Sequence, residues 1–459
     1  MDLTLRSLES MFEDQRESFF ERYFQLLRFP SVSTEPHYAA DVERCSHWVA
    51  EFLQSAGFTV ERWTGAGHPI VFASWAGAGP AAKTALFYGH YDVQPVDPLE
   101  LWQSPPFEPE IRAGEVYARG AQDNKGQLFY TMSALCSILK HRGALPMNVK
   151  MIIEGEEESS SAALKKMLPE KRDQVRADYL AVVDVGMKSL ARPWVGVGVR
   201  GIAAFELVLH GSDHDLHSGM VGGIAYNPNR ALVELLAKAV DENGRVTIPG
   251  FYDGIEELPP ADRAQLCMGT TADESLKLLG VAPFGGESGL SIEERVWLRP
   301  TFEINGLNGG YTGDGFKTVI PARASAKISC RLVPGQDPIR IQELVCKFLE
   351  AHCPKSMTIE VRKLGSGSAL RTHPNAPIVK AAVAAFSDVA GTSCGVALEG
   401  GSIPISLDLS EASGGEIVFF GYGLGDDQIH APNEHFGVDR MRRGFLTVGR
   451  FLAHLAGSA

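Results

Sequence analysis

Short apolar runs that alternate with segments of helical pattern are the feature that most constrains how this chain can fold. Runs of strand length occur at 84–88, 149–153 and 179–183, and residues 127–140 between the first two have a helical composition. Parallel strands need a long crossover connection, which is usually a helix. The alternation therefore predicts an α/β domain with a mainly parallel sheet flanked by helices.

The pattern changes near residue 200. Residues 201–210 alternate between apolar and polar positions as a half-exposed strand does, and a helix at 228–240 follows, with further strands at 324–332 and 357–362. This series predicts an α+β domain with an antiparallel sheet. The glycine- and serine-containing segment 363–368 indicates a linker after it.

The α/β pattern returns after that linker. The predicted elements there are a helix at 378–389, a strand at 417–421 and a helix at 440–455. We therefore expect an α+β domain at 200–368 inserted into an α/β domain formed by 1–199 and 369–459, and two sequential domains are the alternative. At the N-terminus, apolar side chains near helical spacing predict one amphipathic helix over 9–28.

Charge and cysteine content narrow the class of partner. The 459 residues include 43 Lys and Arg against 56 Asp and Glu, which gives a formal net charge of −13. Nucleic acids and anionic membranes bind basic surfaces, so neither is expected as the main partner. The N-terminal residues do not resemble a signal peptide, and the seven cysteines are scattered. We expect reduced thiols in a cytoplasmic protein.

His90 and Asp92 directly follow the strand-like run 84–88. Side chains two residues apart in an extended segment point to the same side, and open α/β sheets bind ligands at the carboxyl ends of their strands. A neutral imidazole can bind a metal ion while a nearby carboxylate fixes its tautomer. Taken alone, the pair also fits an ordinary hydrogen bond at a strand end.

Acidic residues occupy two further loops of the predicted α/β domain. Asp123 lies in a glycine-bracketed loop before a predicted helix, where an N-cap is the alternative role. Four acids follow the run 149–153 within five positions, and their mutual repulsion would be costly without a cation. They are Glu154, Glu156, Glu157 and Glu158. A solvated acidic loop is the alternative.

Asp184 and His430 also follow predicted strands. Because these strands belong to one predicted sheet, their side chains would meet those of His90 and the acidic loops at its carboxyl edge. Imidazole and carboxylate ligands, with one carboxylate available for bridging, suit a pair of divalent ions of the zinc or manganese type. The absence of cysteine from these segments favours a hydrolytic site over a structural zinc site.

Nine motifs in this order and spacing resemble those of the M20 metallopeptidases, most closely the carnosinase-like, cytosolic nonspecific dipeptidase branch. They are GHYDVQP (89–95), ARGAQDNKG (118–126), EGEEESSS (154–161), Asp184, DLHSG (215–219), KTVIP (317–321), RLVPGQ (331–336), EGGSIP (399–404) and HAPNE (430–434). The resemblance extends from about residue 10 to the C-terminus. It implies a catalytic domain with an inserted lid and dimerisation domain.

The resemblance implies a role for each residue of the predicted metal site. The ligands of two divalent ions would be His90, Asp123, Glu158, Asp184 and His430, with Asp123 bridging. Asp92 would orient His90. Glu157 would be the general base, which takes a proton from the activated water and passes it to the leaving amine. An assignment shifted by one position within the glutamates is the alternative.

The resemblance also implies substrate contacts. His217 would reach the active site of the partner subunit in a homodimer and stabilise the oxyanion. Arg331 would bind the substrate carboxylate, and Glu399 would pair with a free α-amine. The other implied contacts are Thr318, Asn305, Gly401 and Ser402. Without the resemblance, these residues also fit a structural histidine, a surface arginine and a plain turn.

Three departures from that branch bear on the substrate. Leu398 stands where arginine is usual, Ser160 stands where glycine is usual, and the segment 243–288 is long. We expect a dinuclear metallopeptidase that cleaves dipeptides, and the alternative is a deacylase of N-acyl amino acids, desuccinylase- or aminoacylase-like, using the same site. A non-catalytic scaffold would lack a ligand or the base, and a phosphate-binding nucleotide enzyme would need a GxxxxGK[ST] motif, so neither is expected.

Overall fold

A computed structural model describes residues 2–266, 269–400, 403 and 405–457 of the chain. The chain divides into two compact units. The first unit comprises Met1–Gly198, Thr372–Ala397 and Ile403–Ala459, and the second comprises Val199–Arg371 with Leu398–Ser402. That the second unit is an inserted lid and dimerisation domain stays a prediction.

The two units contain helices and strands in mixed order. The helices are α1 (Leu5–Glu13), α2 (Arg16–Leu27), α3 (Ala39–Ser55), α4 (Lys125–Arg142), α5 (Ala162–Val175), α6 (Ser218–Val221), α7 (Pro228–Ala237), α8 (Pro260–Leu266), α9 (Ala272–Leu279), α10 (Pro338–His352), α11 (Pro377–Ala390), α12 (Ile405–Ser413) and α13 (Val438–Gly457). The strands are β1 (Thr59–Trp63), β2 (Ile70–Trp75), β3 (Thr84–His90), β4 (Glu110–Arg112), β5 (Glu115–Tyr117), β6 (Asn148–Glu154), β7 (Tyr179–Val182), β8 (Trp194–Val199), β9 (Gly201–His210), β10 (Leu216–His217), β11 (Thr301–Gly309), β12 (Val319–Ile320), β13 (Arg323–Leu332), β14 (Thr358–Gly367), β15 (Leu370–Arg371), β16 (Gly395–Glu399), β17 (Glu416–Phe419) and β18 (His435–Gly437).

The first unit is built on one twisted sheet whose centre is parallel. Its strands follow the order β1-β2-β6-β3-β7-β17-β8. The central strands β6, β3, β7 and β17 run parallel to one another, whereas β2 and β8 pair with them antiparallel. β3 and β7 are buried almost throughout, as expected for strands covered by helices on both faces. α4 is buried from Lys125 to Leu139. The predicted α/β fold class is confirmed.

The single N-terminal helix predicted over 9–28 is wrong, because the chain forms α1 and α2 with a break at Asp14 and Gln15. The Gln15 side chain turns away to donate a hydrogen bond to a neighbouring hydroxyl in α4 at 2.6 Å. The break lets each helix contribute a phenylalanine to one aromatic cluster. Phe12 and Phe19 lie 5.1 Å apart there, and both approach Phe445 of α13.

The second unit contains a four-stranded antiparallel sheet in the order β11-β13-β9-β14. Buried and half-exposed residues alternate along β9, and its buried face packs with α7 and α10. The linker predicted at 363–368 is wrong, because β14 extends to Gly367. Pairing with β9 orders this segment despite its composition, and a register shift between Lys363 and Ser366 accommodates the irregular stretch.

Two further findings concern membrane-spanning helices and the cysteines. Among the described residues, no helix combines the length and apolar character that a membrane span needs. The six cysteines in the described ranges are all free thiols.

Candidate metal centre

The five predicted metal ligands lie together in the first unit. His90 ends β3, Asp184 follows the end of β7 by two residues, and Glu158 lies in a short turn after β6. These three strands are parallel neighbours, so their carboxyl ends share one edge of the sheet. Asp123 comes from the loop before α4, and His430 from the loop between β17 and β18.

Asp123 is shared between two groups of possible ligand atoms. One group comprises His90, Asp123 and Asp184, and the other comprises Asp123, Glu158 and His430. Within each group the ligand atoms lie within 4.8 Å of one another. Asp123 Oδ1 lies 3.2 Å from His90 Nε2, whereas Oδ2 lies 3.0 Å from His430 Nε2. Each oxygen of this carboxylate therefore faces a different imidazole, and this is the arrangement expected of a bridging ligand.

The donor atoms fit divalent cations. His90 Nε2 and Glu158 Oε1 are buried and have no hydrogen-bond partner among the described residues, which is costly unless an ion satisfies them. Burial, and to a smaller extent the charge of Asp123, raises the pKa of Asp184 and of Glu158. Zinc and manganese both accept imidazole nitrogen and carboxylate oxygen. Two such groups joined by one carboxylate suit two ions.

Asp92 is placed to orient both His90 and the glutamate turn. Its Oδ1 lies 3.3 Å from His90 Nδ1, and its backbone carbonyl lies 3.1 Å from the same nitrogen. The backbone N–H groups of Glu157 and Glu158 donate to its two carboxylate oxygens at 3.2 and 3.1 Å. Because acceptors surround Nδ1, the imidazole is held with Nε2 toward Asp123.

Two of the four acids at 154–158 are engaged in structural hydrogen bonds. Glu154 is fully buried, and its Oε1 accepts hydrogen bonds from the hydroxyls of Tyr88 and Ser161. Glu156 accepts hydrogen bonds from two backbone N–H groups at 2.6 and 2.9 Å. Both acids are therefore committed to holding the local backbone and side chains, which leaves the other two for the predicted metal centre.

Those other two acids are Glu157 and Glu158. Glu158 Oε2 lies 3.4 Å from His430 Nε2 and accepts a hydrogen bond from Gln94 at 2.7 Å. The carboxylate of Glu157 accepts no hydrogen bond from the described residues, and burial together with the nearby charges of Asp184 and Glu158 raises its pKa to about 8. The arrangement supports the assignment without a shift by one.

Asn124 is a site residue that sequence reasoning missed. The N-cap position of α4 is occupied by Asn124, without a capping hydrogen bond from its side chain, so the alternative role of Asp123 as an N-cap is wrong. The Asn124 amide donates to Asp184 Oδ1 at 2.7 Å and to the carbonyl of Val183, and its oxygen accepts from the N–H of His90. One amide therefore links three strand-end positions of the site.

Glu434 is a second residue that sequence reasoning missed. Its buried carboxylate accepts hydrogen bonds from the backbone N–H groups of Gly120, Gln122 and Asp123 at 2.8 to 2.9 Å, and it pairs with Arg119 at 2.9 Å. The sequence did offer a signal for this pair. Arg119 lies in the motif at 118–126 and Glu434 in the motif at 430–434, and these opposite charges had no assigned role.

His217 and Thr318 lie together in the second unit. His217 is exposed at the end of β10, where β10 pairs with β12, and its Nε2 lies 3.4 Å from Thr318 Oγ1. Its Nδ1 accepts a hydrogen bond from the N–H of Gly219, which fixes one face of the ring. Nε2 is therefore the ring nitrogen that faces Thr318.

The remaining predicted substrate contacts are spread over other strands of the second unit. Arg331 lies near the end of β13, opposite Thr301 of β11, and Asn305 is exposed at a bulge of β11. Glu399 ends β16. Gly401 and Ser402 lie outside the described residues. The predicted roles of these residues stay predictions.

Comparison with known proteins places the chain among peptidases. The profile of peptidase family M20/M25/M40 matches residues 86–454. The Candida albicans Cys-Gly metallodipeptidase DUG1 is 29% identical, with 100% of this chain and 98% of that protein covered. The human Beta-Ala-His dipeptidase is 32% identical, with 80% and 73% covered.

A solved structure agrees with these sequence relatives. The M20 family metallo-carboxypeptidase Sso-CP2 from Sulfolobus solfataricus has a TM-score of 0.82 and 32% identity, with 95% of this chain and 99% of that chain covered. The profile match spans most of the chain and includes all five predicted ligands. The chain therefore belongs to peptidase family M20/M25/M40, as its motifs predicted, and it is a metallopeptidase.

Proposed function

We propose that this metallopeptidase hydrolyses the peptide bond of dipeptides. The observation that carries the proposal is the Asp123 carboxylate, which directs one oxygen to each of two possible ligand groups. The dipeptide substrate rests on the relatives, since one named for Cys-Gly and one named for Beta-Ala-His cover most or all of the chain.

The five ligand side chains would hold two divalent ions of the zinc or manganese type. Ions bound there would lower the pKa of bound water toward ~7 and polarise the scissile carbonyl. Asp123 would contribute one oxygen to each ion, and Asp92 would keep the His90 imidazole in the tautomer with Nε2 free.

Glu157 would act as the general base and then as the general acid. Its carboxylate is not engaged in hydrogen bonds with the described residues, and its pKa is raised to about 8 by burial and the adjacent carboxylates. Glu157 would accept a proton from the attacking water and deliver it to the leaving amine.

Residues of the second unit would bind the substrate. Arg331 would hold the terminal carboxylate through two parallel hydrogen bonds, and Glu399 would pair with the free α-amine. Asn305 and Thr318 would contribute further polar contacts, as would the backbone at Gly401 and the hydroxyl of Ser402. His217 would donate a hydrogen bond to the oxyanion that forms during attack.

We further propose that the protein is a homodimer in which His217 acts on the partner's site. Large apolar side chains near it are unusually exposed, with Met220 at 77%, Ile224 at 86% and Phe316 at 90%. Such exposure is typical of surfaces that a partner covers. A mixture of the inactive variants Glu157→Gln and His217→Ala would then regain about a quarter of wild-type activity in heterodimers, each with one complete site. No recovery would contradict action across the dimer.

A substrate panel tests the proposed reaction. The metal-depleted enzyme is assayed with zinc, manganese and cobalt added back separately, against Cys-Gly, β-Ala-His, a tripeptide and the N-acetyl form of one dipeptide. Preferential cleavage of the free-amine dipeptides is expected. Preference for the acetylated form would indicate a deacylase, and preference for the tripeptide would contradict a dipeptidase.

A cytoplasmic location is also proposed. The free thiols of the six described cysteines are typical of proteins in reducing compartments. Cell fractionation tests this, and recovery in a secreted fraction would contradict it.

A further inference from the structure

We propose that Glu434 is a positioning residue that holds the loops carrying Asp123 and His430 together and thereby sets the affinity of the ion these two ligands share. This inference rests on the proposed metal pair. Glu434 itself contributes no ligand atom to either group.

The hydrogen bonds of Glu434 converge on the Asp123 loop. Oε1 accepts from the backbone N–H groups of Gln122 and Asp123, both at 2.9 Å, and Oε2 accepts from the N–H of Gly120 at 2.8 Å. The backbone carbonyl of Glu434 also accepts from the N–H of Ala118 at 3.1 Å. The loop before α4 thus wraps around one carboxylate from a segment more than 300 residues away.

A buried ion pair fixes the carboxylate itself. Glu434 and Arg119 each have side chains that are 1% exposed, and the guanidinium also donates to the carbonyl of Pro95 at 2.8 Å. The ion pair and the three N–H donors offset the cost of burying the charge. A carboxylate with all of these partners has little freedom to move.

The loop carrying His430 is held at both ends. At its start, the buried carboxylate of Asp427 accepts hydrogen bonds from Arg440 at 2.6 Å and from the N–H of Leu424 at 2.7 Å. Glu434 closes the other end. Between them, His430 has a φ of 60°, in the left-handed region that non-glycine residues rarely occupy. Such a conformation persists only when its surroundings impose it.

The two ends differ in what they contact. The Asp427 carboxylate binds Arg440 and the N–H of Leu424, and its backbone carbonyl accepts from the N–H of His435 at 3.0 Å. Glu434 differs in that it also binds the N–H of Asp123. Replacing the Glu434 carboxylate by an amide would place N–H donors against backbone donors, so at least one of the three loop N–H groups would lose its acceptor. The Asp123 loop would shift relative to His430, and the ion that they share would bind more weakly.

The experiment measures bound metal at controlled free metal concentration. Zinc-loaded wild type, Glu434→Gln and Asp388→Asn are dialysed against zinc–chelator buffers, and zinc per chain is determined, alongside urea unfolding. Asp388→Asn is the matched control, because it breaks a partly buried acid–arginine pair between α11 and α13 that contacts no ligand. We expect two ions in wild type and in the control. In Glu434→Gln one ion should be weakened tenfold or more, and the other should be weakened less because it keeps His90 and Asp184.

Each alternative outcome is decisive. Two ions with wild-type affinity in Glu434→Gln would overturn the inference, as would a loss of metal in the control equal to that in the variant. If Glu434→Gln does not fold, Glu434→Asp, which keeps the charge but shortens the reach, is measured in the same way and judged by the same affinities. A wild type that binds only one ion would overturn the proposed metal pair, and the inference with it.

Discussion

Glu154→Gln tests whether burial keeps a carboxyl neutral beneath the site. Glu154 is fully buried, its Oε2 has no hydrogen-bond partner among the described residues, and burial raises its pKa to about 8. An unfolded glutamate titrates near ~4.3, so between these values the folded state binds the extra proton. Stability must therefore fall as the pH rises through this window.

The size of the effect follows from the pH interval. The interval from pH 5 to pH 7 lies between the pKa of Glu154 in the unfolded state and its pKa in the folded state. In this interval the stability of the wild type falls by about 1.4 kcal/mol per pH unit because of this group, or by about 2–3 kcal/mol in total. Glutamine does not titrate, and its oxygen can still accept the hydrogen bonds from Tyr88 and Ser161. Relative to wild type, the variant should therefore gain about 2–3 kcal/mol on going from pH 5 to pH 7.

Urea unfolding followed by tryptophan fluorescence measures this difference, with chelator present so that no ion contributes. Glu170→Gln, at an exposed position of α5, controls for the loss of one charge. A stability difference between Glu154→Gln and wild type that stays constant from pH 5 to pH 7 would refute the reasoning.

Three further substitutions separate the roles proposed for the site. Glu157→Gln should lower kcat by about 10²–10⁴-fold while zinc per chain stays at the wild-type value, because the base is not a ligand; an unchanged kcat would contradict its role. Asp92→Asn should weaken metal affinity by about 10–100-fold in chelator competition, because the amide no longer fixes the His90 tautomer. An affinity equal to that of the wild type would show that the backbone carbonyl of residue 92 alone is enough to orient His90. Arg331→Met should raise KM for a dipeptide but not for the corresponding dipeptide amide, and an equal rise for both would exclude carboxylate binding.

The proximity of the predicted ligands could be predicted because it follows from local rules. His90, Asp184 and Glu158 each follow a strand of the same parallel sheet, and the carboxyl ends of such strands meet at one edge whatever the loops do. The family resemblance then distinguished Glu157 and Glu158 from the other acids. The structure gives the reason, since Glu154 and Glu156 are engaged by hydroxyl and backbone donors.

Other features depend on contacts that no local pattern encodes. Glu434 binds backbone N–H groups of a loop over 300 residues away. The sequence shows that Glu434 and Arg119 have opposite charges, but it does not show which backbone N–H groups the carboxylate accepts. The break between α1 and α2 interrupts an apolar pattern that continues across it, because packing of Phe12 and Phe19 against Phe445 decides the bend. Segment 363–367 has a linker composition, yet pairing with β9 makes it a strand.

The central claim is that Asp123 bridges two metal ions. Anomalous diffraction at the zinc absorption edge, from crystals of the zinc-loaded protein, tests it directly. We predict two peaks, one on each side of the Asp123 carboxylate and ~3.5–4 Å apart, with His90 and Asp184 at one and Glu158 and His430 at the other. A single peak, or two peaks of which only one lies beside Asp123, would contradict the account.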